Sequence, residues 1–299
     1  MAKFAKNVDP KAVAEKQAAN VMKQIQGKNL SSVGTVRNYE ERLTIVAQHV
    51  NAEFKCGLRD LTIEQAHQYL SDRATEVGQK TLDMERQAIQ CMMQNITGKL
   101  GQTEKLDVIK SEQQQILSSR SYSPEQAKMI ADAQTERNAL ATEIAHAAGL
   151  RAHELHTLQR IDERIPDPRP ALEEKFTGRE GERYTVEGKG GLVREVLIPK
   201  DLAERLEDRR LEQPLQITDR GVNYTSHYDI NGGNRWSSSF TTASNRALNW
   251  STGAHGLRHS YAQERMDELK KSMPYEKALE VVSQEMGHFR ANITEVYLR

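Results

Sequence analysis

The sequence predicts a mainly α-helical protein in two domains, with a small β-hairpin or sheet in the second. Three observations carry this. At 299 residues the chain is longer than one hydrophobic core usually serves. Aromatic residues make up only 5%, which argues against a large all-β architecture. Apolar residues also recur at helical steps of three and four in one segment after another.

Residues 9–27 (DPKAVAEKQAANVMKQIQG) read as a helix stopped by Gly27, so residues 1–29 form an N-terminal helical extension. After a polar joint, Val36, Tyr39, Leu43, Val46 and Val50 lie on one helical stripe. Thr62 is placed to cap the next helix, with Gln65 closing a capping box and Ile63, Ala66, Tyr69, Leu70 and Ala74 on one face. A third stripe follows through Leu82, Ile89, Met92, Met93 and Ile96. Three such helices with short joints bury their stripes against one another, so residues 30–105 read as a helical bundle.

Residues 106–122 form a polar linker, and Ser123-Pro124-Glu125-Gln126 opens a second domain, 123–299, with an N-cap serine, proline at the first helical position and glutamine closing the box. Further on, RYTVEGKGGLVREVLIP places two β-prone runs around Gly188-Lys189-Gly190-Gly191, a hairpin. A helix is expected near 200–211, while residues 213–245 are rich in turn formers and fit no single period. The segments HGLRHSYAQERMDEL and PYEKALEVVSQEMG are helical, the second stopping at Gly287; Asn292, with Glu295 three residues on, is placed to cap a last helix.

No run of about 18 apolar residues and no signal-like apolar segment is present, so a cytoplasmic, nucleoid-associated protein is expected. Cys56 and Cys91 lack metal-site spacing and read as buried thiols. Formal net charge is zero, with a slight basic excess in residues 1–120 balanced by an acidic excess beyond, so charge alone names no partner.

Four pieces carry chemistry: GLRAHEL with Arg151, EGKGGLVREV with Lys189, HGLRHS with His255 and Arg258, and the closing GHFRANITEVYLR with His288 and Tyr297. Each is weak alone, because surface arginines and glycine-rich lysine turns are common. In this order and spacing they resemble the tyrosine recombinase family of phage and mobile-element integrases and Xer-type resolvases. That family has Arg, Lys on a hairpin turn, HxxR, His or Trp, and a nucleophilic Tyr about nine residues later. Glu154 matches an acidic position that supports the family's active site, and the bundle resembles its SAM-like core-binding domain.

The resemblance implies a site-specific DNA recombinase or integrase acting through a 3′-phosphotyrosyl intermediate, with neither metal nor ATP. It implies double-stranded DNA as partner, a homo-tetramer on paired sites, and accessory DNA-bending factors in some systems. Lys80 and Arg86 are candidate phosphate contacts on the bundle, and such contacts make affinity fall with salt. The chemistry is consistent: Arg151 and Arg258 would fork the non-bridging oxygens, His255 would take the tyrosine proton, His288 would donate to the phosphate, and Lys189 would protonate the leaving 5′-oxygen. Only Leu298 and Arg299 follow Tyr297, whereas the family commonly continues into a helix docked on a neighbour, so that exchange is not carried over.

Two other readings stay open. An inactive DNA-binding relative would keep the fold, although all six catalytic residue types are present. Type IB topoisomerases and telomere resolvases share the pocket, although the bundle's size favours recombination. A zinc site on His255 and His259 is disfavoured because Gly256 stands where a zincin has Glu; His259 then reads as a satisfied core residue, with His146, His153 and His156 unassigned.

Overall fold

The computed structural model of the chain describes residues 9–115 and 117–299. It divides into two compact units at residues 116/117. Helix α1 (Pro10–Ile25) begins where the Asp9 carboxylate accepts from the Lys11 amide at 3.0 Å, with proline at its first position. It is no loose extension: Ala14, Ala18, Val21, Met22 and Ile25 are all in the core of the first unit, so the expected boundary at residue 29 falls inside the bundle.

Ser32 caps α2 (Val33–His49), which runs on through a wide turn to Phe54. The Thr62–Gln65 capping box opens α3 (Ile63–Ala74) as its sequence indicates. Helix α4 (Gln79–Met92) continues through a second wide turn to Thr97 and stops at Gly98, where φ is +65°. Leu43, Val46, Tyr69, Leu70, Ile89 and Met92 share one core. Into it projects Glu85, fully buried, which accepts from the Tyr69 hydroxyl at 2.8 Å and from Arg73 at 3.1 and 3.2 Å. A buried carboxylate is tolerated only with such partners.

The described residues between Gly98 and Ser123 make no helix, but the first half of this stretch belongs to the bundle. Leu106 is buried, and Ser111 donates to the Val77 carbonyl at 2.7 Å. Cys56 and Cys91 are free and half-buried at the edge of this core, less enclosed than expected.

In the second unit, the Ser123–Gln126 box with Pro124 opens α5 (Pro124–Asp132). Helix α6 (Glu136–Ala148) is buried on nearly every side, including Leu140, Ala141, Thr142, Ile144 and Ala145, so it shows little amphipathic stripe. It ends at Gly149, whose φ is +59° and where an added Cβ would lie 2.7 Å from the Tyr261 ring; glycine alone meets both demands.

Strands β1 (Gln159–Arg160), β2 (Glu182–Glu187) and β3 (Val193–Ile198) form an antiparallel sheet in that order, with the anticipated hairpin turn between β2 and β3. Helix α7 (Lys200–Glu207) is shorter than expected, because β4 (Arg210–Asp219) starts at once and pairs with β5 (Val222–Tyr228) around an Arg220-Gly221 turn with both φ values positive. The unassigned 213–245 segment is thus most of this ribbon followed by α8 (Gly233–Leu248). Helices α9 (Gly256–Leu269), α10 (Tyr275–Glu285) and the short α11 (Ala291–Thr294), which passes into a 3-10 turn at Glu295–Tyr297, complete the unit. Asn292 lies inside α11, and Arg290 takes the cap position without a side-chain bond, so the expected Asn292 cap does not form. Among the described residues no helix is long and apolar enough to cross a membrane.

Candidate active site

Two helix ends build the floor of the site. Carbonyls at the C-terminus of a helix lack intrahelical partners and carry partial negative charge, so they attract cations. Where α6 stops, the Gly149 carbonyl accepts from Arg258 Nη1 and, at 3.4 Å, from Arg194 Nη2. Where α10 stops, the Met286 carbonyl accepts from Arg258 Nη2 and the Glu285 carbonyl from Arg194 Nη1 at 2.6 Å. Gly287 leaves the room this requires: its φ is +73°, and an added Cβ would come within 2.6 Å of Arg194 Cδ.

Glu154 lies at the centre and is fully buried. Its Oε2 accepts from the Arg151 amide at 2.8 Å and from Arg194 Nη2 at 2.7 Å, and its Oε1 accepts from Arg151 Nη1 at 2.6 Å. Burial by itself would raise this carboxyl, but Arg194, Arg258 and Arg151 together hold it far below the ordinary carboxylate range. Arg258 is also fully buried; lost hydration, then repulsion from Arg151, brings it down to about 10, where it remains charged at neutral pH. Three guanidinium groups thus surround one carboxylate, an excess of positive charge in a protected pocket. The Nε atoms of Arg194 and Arg258 are buried and find no acceptor among the described residues.

Tyr297 closes the pocket. Its ring centroid is 5.5 Å from the Arg258 guanidinium carbon, 5.5 Å from the His255 ring, 5.2 Å from His288 and 4.8 Å from His259. His288 Nε2 accepts from Arg258 Nη2 at 3.0 Å, and its Nδ1 is 3.1 Å from the buried Thr294 hydroxyl. Both its ring nitrogens therefore already have partners.

Of the residues named from sequence, Arg151, Glu154, His255, Arg258, His288 and Tyr297 come together here. Lys189 sits exposed at the tip of the β2–β3 hairpin, with no side-chain hydrogen bond or ion pair among the described residues. Its neighbour Gly188 is nonetheless close to the pocket, since a Cβ there would be 3.3 Å from Glu154 Oε1 and 3.7 Å from Arg151 Nη1. On the first unit Lys80 is exposed on the opening turn of α4. Arg86, the other candidate phosphate contact, is half-buried, and its Nη1 donates to the Leu106 carbonyl at 3.1 Å and so ties the following segment to α4.

Solved structures of similar fold exist at low sequence identity. The XerH site-specific recombinase bound to its difH substrate matches at 15% identity over 99% of this chain and 94% of its own, with a TM-score of 0.54. A lambda integrase dimer bound to a COC′ core site matches at 14% identity over 95% of this chain and 76% of its own, with a TM-score of 0.61. The fold is that of the tyrosine recombinases. The Tn1549 transposon integrase in complex with transposon right end DNA also shares it, at 14% identity over 96% and 94% of the two chains, with a TM-score of 0.54. By sequence, no family model and no curated protein matches.

Within this recombinase fold, two residues of the pocket were not recognised from sequence. Arg194 is one; the available signal was its position in phase with Val196 and Ile198 on the buried face of β3, where an arginine needs a buried partner. His259 is the other. It is no satisfied core histidine, for its Nδ1 is buried without a hydrogen-bond partner among the described residues and its ring is the nearest imidazole to Tyr297. Its place one helical turn after His255 was legible.

The three imidazoles around Tyr297 are all held neutral. Loss of hydration, then the charge of Arg258, pushes His255 down to about 4 although part of the residue meets solvent; loss of hydration, then Arg120, does the same to His259; loss of hydration, then Arg258, takes His288 to about 3. An unfolded chain protonates these groups near the ordinary value of about 6.5. The contribution of buried His259 and half-buried His288 to stability is therefore fully present above that value and is lost as pH falls toward 4, because unfolding then takes up protons, while solvent screening leaves exposed His255 a small share. The melting temperature should drop between about pH 6.5 and 4, and His288→Gln should make that decline shallower. An identical slope in the variant would show that His288 titrates alike in both states.

Proposed function

We propose that this protein is a site-specific DNA recombinase or integrase that cuts and rejoins strands through a 3′-phosphotyrosyl intermediate. The observation that carries this reading is the pairing of Tyr297 with an excess of buried guanidinium charge. A tyrosine hydroxyl, with an unperturbed pKa near 10, is a weak nucleophile, and a phosphodiester repels it. Arg151 and Arg258 answer both problems. Arg151 donates to the non-bridging oxygens. Arg258, whose Nη1 and Nη2 are held by helix-end carbonyls and His288, brings its charge, and an Nε without a partner among the described residues, to the charge that develops as the phosphorus gains a fifth ligand. Because the arginines are already held by Glu154 and two helix ends, little reorganisation is needed when the phosphate arrives.

In the cleavage step the Tyr297 oxygen attacks phosphorus and the bond to the 5′-oxygen breaks. His255, neutral at physiological pH, takes the tyrosine proton, and Lys189, brought in by its glycine turn, gives a proton to the departing 5′-oxygen. His288 steadies Arg258 through the bond to its Nε2. The phosphotyrosyl bond retains the phosphodiester linkage, so a 5′-hydroxyl from a partner strand reverses the step without ATP, and the arginines supply the charge a metal would otherwise bring. Double-stranded DNA is the partner, with Lys80 as a phosphate contact on the bundle. Exchange between two duplexes calls for four copies, one for each strand cut.

The test uses the full-length protein and a pool of nicked duplexes of random sequence, in which cleavage beside the nick releases a short strand and traps the enzyme. The expected product is a denaturant-resistant protein–DNA adduct, mapped by mass spectrometry to Tyr297. If DNA is bound but no adduct forms on any duplex, the protein is a binder and the proposal fails. Relaxation of a supercoiled plasmid without strand exchange would instead place it with the topoisomerases.

A further inference from the structure

Tyr297 lies on a segment that has little means of holding itself in place. Helix α11 has four residues and the 3-10 turn after it three, with the Leu298 amide bonding back to the Glu295 carbonyl at 3.1 Å. Helical pieces this short are not stable alone. Whatever fixes the tyrosine must come from elsewhere in the unit.

Part of it comes from α9. Residues 255, 259 and 263 are spaced four apart and share one face of the helix, on either side of the turn that carries Arg258. His255 and His259 flank the Tyr297 ring. Gln263, the third, bonds to the backbone on which the ring is carried. Its side-chain amide donates to the Tyr297 carbonyl at 3.1 Å and to the Arg299 carbonyl at 2.8 Å. One half-buried side chain thus straddles the backbone on both sides of Leu298. At the other end of the segment, Thr294 is fully buried against His288.

We infer that Gln263 is a positioning residue, which, with His259 as a wall for the ring, clamps the Tyr297 segment to α9 at a fixed distance from Arg258. This rests on the reading of Tyr297 as the nucleophile. Because α9 also carries Arg258, one rigid helix sets the spacing between the attacking oxygen and the phosphate ligand. Losing the two donated bonds leaves the pocket intact but lets the tyrosine wander. Misplacement by about 1 Å costs on the order of a hundredfold in rate. The Gln263 amide is engaged with the backbone of its own chain, so DNA affinity is expected to stay unchanged.

The test compares wild type with Gln263→Ala and with Gln263→Glu, which keeps the shape but replaces both donors by acceptors. Adduct formation is followed in single turnover at saturating concentrations of a nicked duplex recovered by trapping on the wild-type protein. The saturated rate should fall by about ten- to a hundredfold in both variants, with the half-saturating DNA concentration unchanged. Without DNA, amide hydrogen exchange over residues 290–299 should accelerate about tenfold or more while the rest of the chain stays as in wild type. A wild-type rate and wild-type exchange in both variants would overturn the clamp, as would a loss of rate matched by a loss of DNA affinity. If wild-type protein itself forms no adduct, the recombinase reading fails, and the exchange measurement still decides whether Gln263 holds the segment.

Discussion

Tyr297→Phe should abolish the covalent adduct while leaving the fold and DNA binding as they are. Phenylalanine keeps the ring among His255, His259, His288 and Arg258, so the packing and the guanidinium–ring contact survive. Only the oxygen that would bond to phosphorus is gone. Deleting an enzymic nucleophile costs on the order of a millionfold in turnover, and the nearby Thr294 hydroxyl is buried against His288. The readout is the denaturant-resistant product on nicked duplexes, beside a binding assay and a melting curve on the same sample. An adduct of unchanged yield in Tyr297→Phe would move the nucleophile elsewhere and remove the basis of the mechanism.

The second large effect concerns stability. Glu154→Gln should lower the melting temperature by roughly 10 °C or more, reflecting a loss of about 3–5 kcal/mol, because it leaves three guanidinium groups around a site with no counter-charge. The carboxylate is fully buried, as is Arg258, and Arg194 is 3% exposed, so solvent offers little screening. Glutamine also presents an N–H₂ to an arginine that needs an acceptor. Since the carboxyl is held far below its ordinary range, its contribution persists as pH falls through the range in which free carboxylates titrate. Adding Arg194→Met to Glu154→Gln should recover part of the loss, because one of the unbalanced charges is then removed. Strict additivity of the two changes would mean that the residues are not coupled.

Much of this site was legible along the chain. Arg151, His255, Arg258, His288 and Tyr297 were marked by residue type and spacing, and they meet around one pocket. The stop at Gly287 was legible too, and Gly149 carries the same signal, since glycine after a helical run signals its end. What those stops accomplish was not. Each frees helix-end carbonyls that hold Arg258 and Arg194, a consequence visible only when two helices far apart in sequence finish side by side.

The misses have the same origin. Arg194 reads as an ordinary strand residue until β3 packs against α10 and its charge must be matched in the interior. Arg86 reads only as a candidate phosphate contact, and its bond to the carbonyl offered where the chain beyond residue 100 returns to α4 is visible only in the fold. The ribbon of β4 and β5 escaped because most of it faces solvent on both sides, which erases the alternation that marks a half-buried strand.

Periodicity, caps and stop residues are local, and they were enough to place nearly every helix, the lysine hairpin and the order of the chemical groups. The charge balance around Glu154, the neutral histidines beside Tyr297 and the hold of Gln263 on its backbone depend on burial and on contacts between segments over a hundred residues apart or brought round by a turn. Desolvation and Coulomb energy follow distance in space, and only the folded chain sets those distances.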